Sequence, residues 1–280
     1  FWGGMARMTL ADHFEQVVYD GGAPITPIQA MKDAIAKFES AATIAAAAGN
    51  TSLAAASHGA IARAHRAIYW DEKHTNSNDD MATFKKASDA AKAALAVSGN
   101  YVEYANYNPP GATNFVYASV NASRYNRMDP KYAYMKDPVT GEVDPRIKHG
   151  PKVNESPRTG DDVYLITKYP NEGADIPVSR ADEARLIIAE YAAMTNDLAT
   201  AVSYINEVRA DDGLAVFSST DQAEVITQLK YERSVELWYE GRRWQDMRYY
   251  EIIPDRWAQV NKTKGIHRRW PVSQREKDNM

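Results

Sequence analysis

The segment Glu232 to Asp246 carries the densest set of chemically capable side chains in this 280-residue sequence: Glu232, Arg233, Glu236, Glu240, Arg242 and Asp246. On a continuous helix the three glutamates fall at i, i+4 and i+8 on one face. Stacked carboxylates repel unless cations lie opposite, so Arg242, Arg243, Arg248 or Arg209 must return to meet them. Two chemistries fit. One is an acid/base or cation site, and the other is an ion-pair network that ties the last helix to its neighbours. The second is the expectation here, because no nucleophile or metal set accompanies the carboxylates.

The six histidines, His13, His58, His65, His74, His149 and His267, form no HExxH pair or similar ligand spacing. There is no GxSxG elbow, phosphate-binding loop or GxGxxG turn. Zero cysteines exclude thiolate metal sites, disulfides and cysteine nucleophiles within the chain. The cluster Asn76-Ser77-Asn78-Asp79-Asp80 offers oxygen ligands that could hold calcium, but it lacks the glycine and terminal glutamate of an EF-hand loop, and a helix-capping loop is the expected role. Neither a metal nor a cofactor is expected, and no hydrolytic activity.

Tyrosine is the other unusual signal. Of 17 tyrosines, 9 lie between Tyr101 and Tyr169. Rings on loops suit sugar binding, because pyranose C–H groups stack on aromatic faces while polar neighbours take the hydroxyls. The alternative is that they fill the core of an irregular region. Tyr101, Tyr104, Tyr107, Tyr132 and Tyr134 are the candidates for a carbohydrate-contacting surface, with Trp70, Asn76 and Asn78 as outlying ones.

What must position these residues is mostly helix. Thr26-Pro27-Ile28-Gln29 reads as a capping box with proline at the first helical position, followed by apolar residues at helical spacing up to Gly49-Asn50. A second helix from Thr51 or Ser52 and a third from about Met81 to Val97 follow. Nine prolines between 109 and 177 then break any helical period. This excursion, 101–178, should contain a few short strands, among them Val163 to Ile166, and a hairpin turn at Asp137 to Gly141. Helices resume with Ser179 as N-cap, again after Asn196, and then in a long helix from Ser219 or Asp221 to Gly241. The predicted fold class is all-α in the main, built of tetratricopeptide-like helix pairs with a loop-rich excursion containing a few short strands. No strict 34-residue repeat survives.

Composition agrees with a folded core, at 44% hydrophobic and 25% charged. No apolar run is long enough to span a bilayer. The net charge of −4 is uneven, since residues 230–280 hold 12 Lys and Arg against 8 Asp and Glu. Acidic residues interleave with these bases, which argues against a nucleic-acid surface.

Three runs in order, Asp182 to Glu190, Ala201 to Arg209 and Glu232 to Arg248, resemble the C-terminal half of the SusD/RagB family, whose members carry E-x-x-L-I-x-A-E-A, A-x-x-x-I-N-x-V-R and E-R-x-x-E-L-x-x-E-G-x-R-x-x-D-L-R at matching spacing. Asp144-Pro145-Arg146 matches the family's frequent D-P-R. Pro271-Val272-Ser273 with Glu276 and Asn279 is similar to its closing motif, with Ser273 where proline is usual. The resemblance covers the middle and C-terminal part of the family, and is weak over 101–178.

It implies one SusD-like domain over 1–280, with helix pairs in 1–100, an irregular ligand-binding excursion in 101–178, and a helix pair, a long helix and a C-terminal strap in 179–280. A family N-terminal segment with its lipidated cysteine is expected to precede residue 1. Function, by the same resemblance, is non-catalytic capture of a glycan, as an oligosaccharide or polysaccharide, or of another large nutrient at the outer-membrane surface and delivery to a TonB-dependent transporter. Two alternatives stay open: a peptide ligand, as in some members, or a surface scaffold with no nutrient. The stretch Trp257 to Trp270, with Lys262, Lys264, Arg268 and Arg269, has the composition of either a partner-binding hot spot or a packed strap.

Overall fold

The computed structural model describes residues 1–122, 128–155, 162–252 and Arg269. Nine helices are found among them: α1 (Trp2–His13), α2 (Pro27–Ala47), α3 (Thr51–Asn76), α4 (Met81–Val97), the single turn α5 (Phe115–Tyr117), α6 (Ala181–Met194), α7 (Leu198–Asp211), α8 (Gln222–Glu236) and α9 (Arg243–Tyr249). The fold is mainly helical, as the periodicity predicts. Consecutive antiparallel neighbours α1 to α4 stack side by side, α4 packs on α6, and α6 packs on both α7 and α8. Tetratricopeptide-like pairing works here because alanine dominates the contacts. Ala34, Ala55, Ala60, Ala62, Ala64, Ala87 and Ala91 are all fully buried, so helix axes approach closely with Phe38, Phe84 and Tyr69 as the large fillers.

Local signals account for most boundaries. The Thr26 hydroxyl accepts from the Gln29 amide at 3.1 Å, Asn50 caps α3 through the Leu53 amide, and Asp80 caps α4 through that of Ala82. Asp221 caps α8 by accepting from Glu224. Helix α1, in the stretch before Thr26 where the periodicity gave no helix, packs on α2 and against α3.

Two boundaries depart from expectation. Helix α6 begins at Ala181, with Arg180 in the cap position. Ser179 is the wrong cap because it belongs to a strand, and its hydroxyl donates to the Ala56 carbonyl of α3 at 2.9 Å. The long C-terminal helix ends at Glu236, five residues short of Gly241. The chain turns through Tyr239 (φ 58°) and Gly241 (φ 78°), left-handed conformations that a continuing helix forbids. Carbonyls released by that turn find donors in the excursion, the Lys168 ammonium for Trp238 and the Tyr169 hydroxyl for Tyr239. Glu240 therefore does not share a helical face with Glu232 and Glu236.

The excursion carries two small antiparallel sheets. Strand β1 (Val102–Ala105) pairs with β4 (Ile176–Arg180), and β2 (His149–Glu155) pairs with β3 (Asp162–Ile166), matching the strand expected at 163–166. The turn at Asp137 closes as a short hairpin, with the Gly141 amide on the Asp137 carbonyl and a bridge between Lys136 and Val143. Its core is separate, formed by Met128, Tyr132, Ile147, Tyr164, Ile166 and Tyr169 against Val235 and Trp238. One attachment to the helices is unusually tight: Gly59 of α3 faces the Tyr101 hydroxyl and Ser179, and a β-carbon there would sit 2.1 Å from the Tyr101 oxygen.

Candidate ligand-binding face

The charged residues of the C-terminal motif lie in a buried ion-pair chain. Glu232, fully buried, accepts from Arg146, from Arg209 at 2.7 Å and from the Gln228 amide at 2.6 Å. Arg209 also holds both Asp137 oxygens, at 3.0 and 2.8 Å. Arg146 holds Asp144 bidentately, and Tyr231 donates to the same carboxylate at 2.8 Å. Glu236 pairs with Arg180 and lies 3.4 Å from Arg146. Glu240 meets Lys168 at 2.7 Å and Arg180 at 3.3 Å.

A second set runs between α3, α6 and the last helices. Arg63 and Arg242 converge on Glu183, the latter at 2.9 Å. Arg66 bridges Glu190 and Asp246, and Arg233 forks onto Asp246 at 2.9 and 3.0 Å. Burial would raise the Glu183 carboxyl, but Arg242 and Arg63 outweigh it and hold the group well below the usual carboxylate range. Arg209 and Arg146 likewise hold Asp137 and Asp144 down against their burial. Each of these carboxylates faces at least one guanidinium or ammonium group, as an ion-pair network requires. Arg248, another cation offered for the motif's glutamates, instead reaches Asp12 of α1.

Metal chemistry finds no support among the described residues, where no three His, Asp or Glu groups converge. His65, half-buried near Lys86, is pushed down by burial to about 4. In the Asn76–Asp80 loop, Asp79 accepts from Tyr69 at 2.6 Å and Lys73 at 3.0 Å, while Asp80 caps α4. Asn76 and Asn78 are exposed there, away from the excursion's core.

The candidate rings divide sharply. Three of them are buried, which corrects their place on a sugar-facing surface. Tyr101 (2% exposed) wedges against α3, Tyr132 packs on Trp238, and Trp70 donates its indole N–H to Glu190 at 3.1 Å while stacking on His74 and Tyr249. None can offer a ring face to a ligand. Tyr107 is half-buried, its amide pinned by Asp175 at 2.8 Å. Tyr104 (41% exposed) lies on β1 opposite Pro177 of β4. Tyr134 is the most open at 62%.

Tyr134 ends a 3₁₀ turn, Pro130–Tyr134, whose cap is Asp129. Its hydroxyl bonds the Tyr164 hydroxyl of β3, and the two rings stand at 89° with centroids 5.9 Å apart. Tyr164 lies 3.3 Å from the Asp162 carboxylate, which pairs with Lys152 of β2, and His149 packs edge-on against the Tyr164 ring. An exposed ring is thus held at its far end beside a half-exposed carboxylate and ammonium, which is an arrangement able to stack on a sugar and bond its hydroxyls. Sequence reading missed Tyr164, His149, Asp162 and Lys152. The run Val163-Tyr164-Leu165-Ile166 marks a strand but has no polar–apolar alternation to say which way Tyr164 faces, and the partner strand has no comparable pattern. Among the described residues no hydrogen bond or ring contact joins Tyr134 to Tyr104 or Tyr107. Two concavities, of about 300 and 660 Å³, lie elsewhere, the first around Asp71, His74 and Tyr249 and the second between Val139, Phe217 and Thr227.

Comparison with known proteins places the fold. Residues 161–279 match the model of the SusD family. A SusD superfamily protein from Bacteroides vulgatus superposes with a TM-score of 0.60 at 14% identity, over 89% of this chain and 65% of that one. A SusD-like carbohydrate binding protein from Bacteroides fragilis gives 0.57 at 16%, over 89% and 65%. Surface glycan-binding protein A from Bacteroides uniformis gives 0.60 at 16%, over 99% and 74%. The chain thus spans about two thirds of the length of the first two. No curated protein matches it. The resemblance to the SusD/RagB family read from the three motifs is borne out, and the helical fold is that of SusD superfamily proteins. The match begins inside the excursion and leaves the first 160 residues to the structural likeness alone. The stretch Trp257 to Trp270 and the closing motif at 271–279 lie outside the described residues, except Arg269, which is buried and bonds the Ala11 carbonyl at 2.6 Å and Asp71.

Proposed function

We propose that this chain binds a glycan without catalysis, at the face of the excursion that carries Tyr134, with Tyr104 and Tyr107 as further contacts. The carrying observation is the Tyr134 ring, 62% exposed yet fastened at its hydroxyl to Tyr164. An exposed aromatic that is also held in place loses little conformational freedom when a ligand stacks on it. The Asp162–Lys152 pair beside it supplies an acceptor and a donor for hydroxyls. Fold likeness to a SusD-like carbohydrate binding protein and to a surface glycan-binding protein supports the same reading.

The chain acts, on this proposal, at the cell surface as part of a single lipid-anchored outer-membrane domain, and hands its glycan to a TonB-dependent transporter. A single platform of one to three rings gives weak affinity for a monosaccharide, since the hydroxyls lose water as they gain protein partners. Polymers then bind by engaging the face repeatedly. Calorimetric screening of the purified chain against maltohexaose, cellohexaose, xylohexaose, laminarihexaose and mannohexaose tests this. Binding that weakens about tenfold in Tyr134→Ala, with an unchanged melting temperature, is the expected result. Binding to none of the five, or hydrolysis of any, overturns it. Recovery of a TonB-dependent transporter with the chain from outer membranes tests the delivery step, and recovery of copies of itself alone favours a scaffold.

A further inference from the structure

We infer that Tyr164, which offers no face to a ligand, is a positioning residue for glycan recognition: it fixes the rotamer of Tyr134. The inference rests on the reading of Tyr134 as a sugar-stacking ring. Tyr164 is only 5% exposed, whereas the ring it holds is mostly open. A ring so exposed has few packing contacts to select one rotamer, so its hydroxyl bond carries an unusual share of its order.

The polarity of that bond follows from the partners. Lys152 pairs with one oxygen of Asp162, and a carboxylate only accepts, so the Tyr164 proton points to the other oxygen, 3.3 Å away. The Tyr164 oxygen is then left to accept the proton of Tyr134. Tyr164 is in turn fixed by its surroundings. It sits opposite Lys152 in the β2–β3 register, and the His149 ring meets its edge with centroids 5.4 Å apart. The β2–β3 pair therefore holds the Tyr164 ring, and Tyr134, supplied by a separate 3₁₀ turn, meets it through the hydroxyl bond and an edge-to-face ring contact.

The test uses the hexasaccharide from the panel above that binds best, with four variants: Tyr134→Ala, Tyr134→Phe, Tyr164→Phe and the double phenylalanine variant. Phenylalanine at 164 keeps the buried ring, and thermal melts check that folding survives. The expected outcome is a roughly three- to tenfold loss of affinity in Tyr164→Phe, a similar loss in Tyr134→Phe, and no further loss in the double variant, because both remove the same bond. In the free protein, three-bond couplings of labelled tyrosine should report a single Tyr134 χ1 rotamer that becomes averaged in Tyr164→Phe. Wild-type affinity and an unchanged rotamer in Tyr164→Phe, with Tyr134→Ala still weakened, would overturn the positioning role and leave the glycan site standing. Wild-type affinity in Tyr134→Ala would remove the glycan site itself.

Discussion

The helical frame and the excursion use the same polar residue types in opposite ways. In the frame, tyrosines and carboxylates face inward: Tyr250 donates to Glu190, Tyr69 to Asp79, and Glu183, Glu190 and Glu232 are each under 4% exposed. In the excursion, Tyr104 and Tyr134 face outward while their neighbours Tyr101 and Tyr132, two or three residues away, face in. Residue type therefore says little about which region recognises a ligand. What separates them is whether a polar atom's partner is another part of the chain or is left to solvent.

The contrast is broken most directly at Glu232. It neutralises two buried guanidiniums, Arg146 and Arg209, that come from the excursion and from α7. Glu232→Ala leaves both without that charge, and a loss of roughly 3–5 kcal/mol is expected, read as a lower denaturation midpoint. A change under about 1 kcal/mol would mean that the frame does not depend on its charges. Glu236→Ala should act in the same direction, because its partners are Arg180 and Arg146.

Acid should break the buried ion pairs of the frame and of its joint with the excursion before it alters the outward rings. Glu183, Asp137 and Asp144 all have carboxyls held below their ordinary values of 4.5, 3.8 and 3.8. A depressed folded value contributes stability that is fully present above the unfolded value and is lost as pH falls through the folded one. The melting temperature should therefore hold steady above about pH 5 and drop steeply below about pH 4. Glu183→Gln should lower the neutral-pH plateau and flatten that acid limb, because the group that titrates is gone. A limb of unchanged slope would place the acid sensitivity elsewhere.

The junction between the two regions is tested at Gly59. Its missing side chain lets the Tyr101 hydroxyl approach α3, and the Ala181 amide bonds the Tyr101 carbonyl at 3.0 Å, so β1 and β4 are anchored together at that point. Gly59→Ala ordinarily favours a helix, by roughly 1 kcal/mol. Here the added methyl meets the rigid end of a ring, and a net loss of about 1–3 kcal/mol is expected instead. Stabilisation would show that the contact yields easily.

Much of the frame was legible because helix signals are local. Thr26-Pro27, Asn50, Asp80 and Asp221 each lie within three residues of the amide they cap. The end of α8 and the start of α6 were not, because long-range bonds decide them: Lys168 and Tyr169 favour the turn after Glu236, and Ala56 draws Ser179 into a strand. The ion-pair partners were half legible. Arg209 was named as a cation returning to the three glutamates and does pair with Glu232, whereas Arg242, named with it, pairs with Glu183 of α6 instead. Arg63 and Arg66 stand amid alanines on α3, and Glu183 and Glu190 two turns apart on α6, a charge pattern on otherwise apolar faces that marks buried pairing and went unread. In the excursion only composition was legible. A tyrosine every third residue at 101, 104 and 107 predicts rings but not their direction, which β1 sets by alternation and by its bulge between Glu103 and Tyr104.

The smallest effect, and the sharpest contrast, is expected at Tyr104. It lies three residues from Tyr101 on the same strand segment, yet it is 41% exposed against 2%. Truncating an exposed ring removes little buried area, so Tyr104→Ala should change stability by less than about 0.5 kcal/mol. If the outward rings form one recognition face, the same variant should weaken hexasaccharide binding by a few-fold, less than Tyr134→Ala does, because no hydroxyl bond holds this ring in a set orientation comparable to the Tyr134–Tyr164 contact. Calorimetry and thermal melts on the one variant read both quantities. Lost stability with intact binding would assign Tyr104 to the frame's logic of inward packing, and unchanged values of both would confine recognition to the Tyr134 side of the excursion.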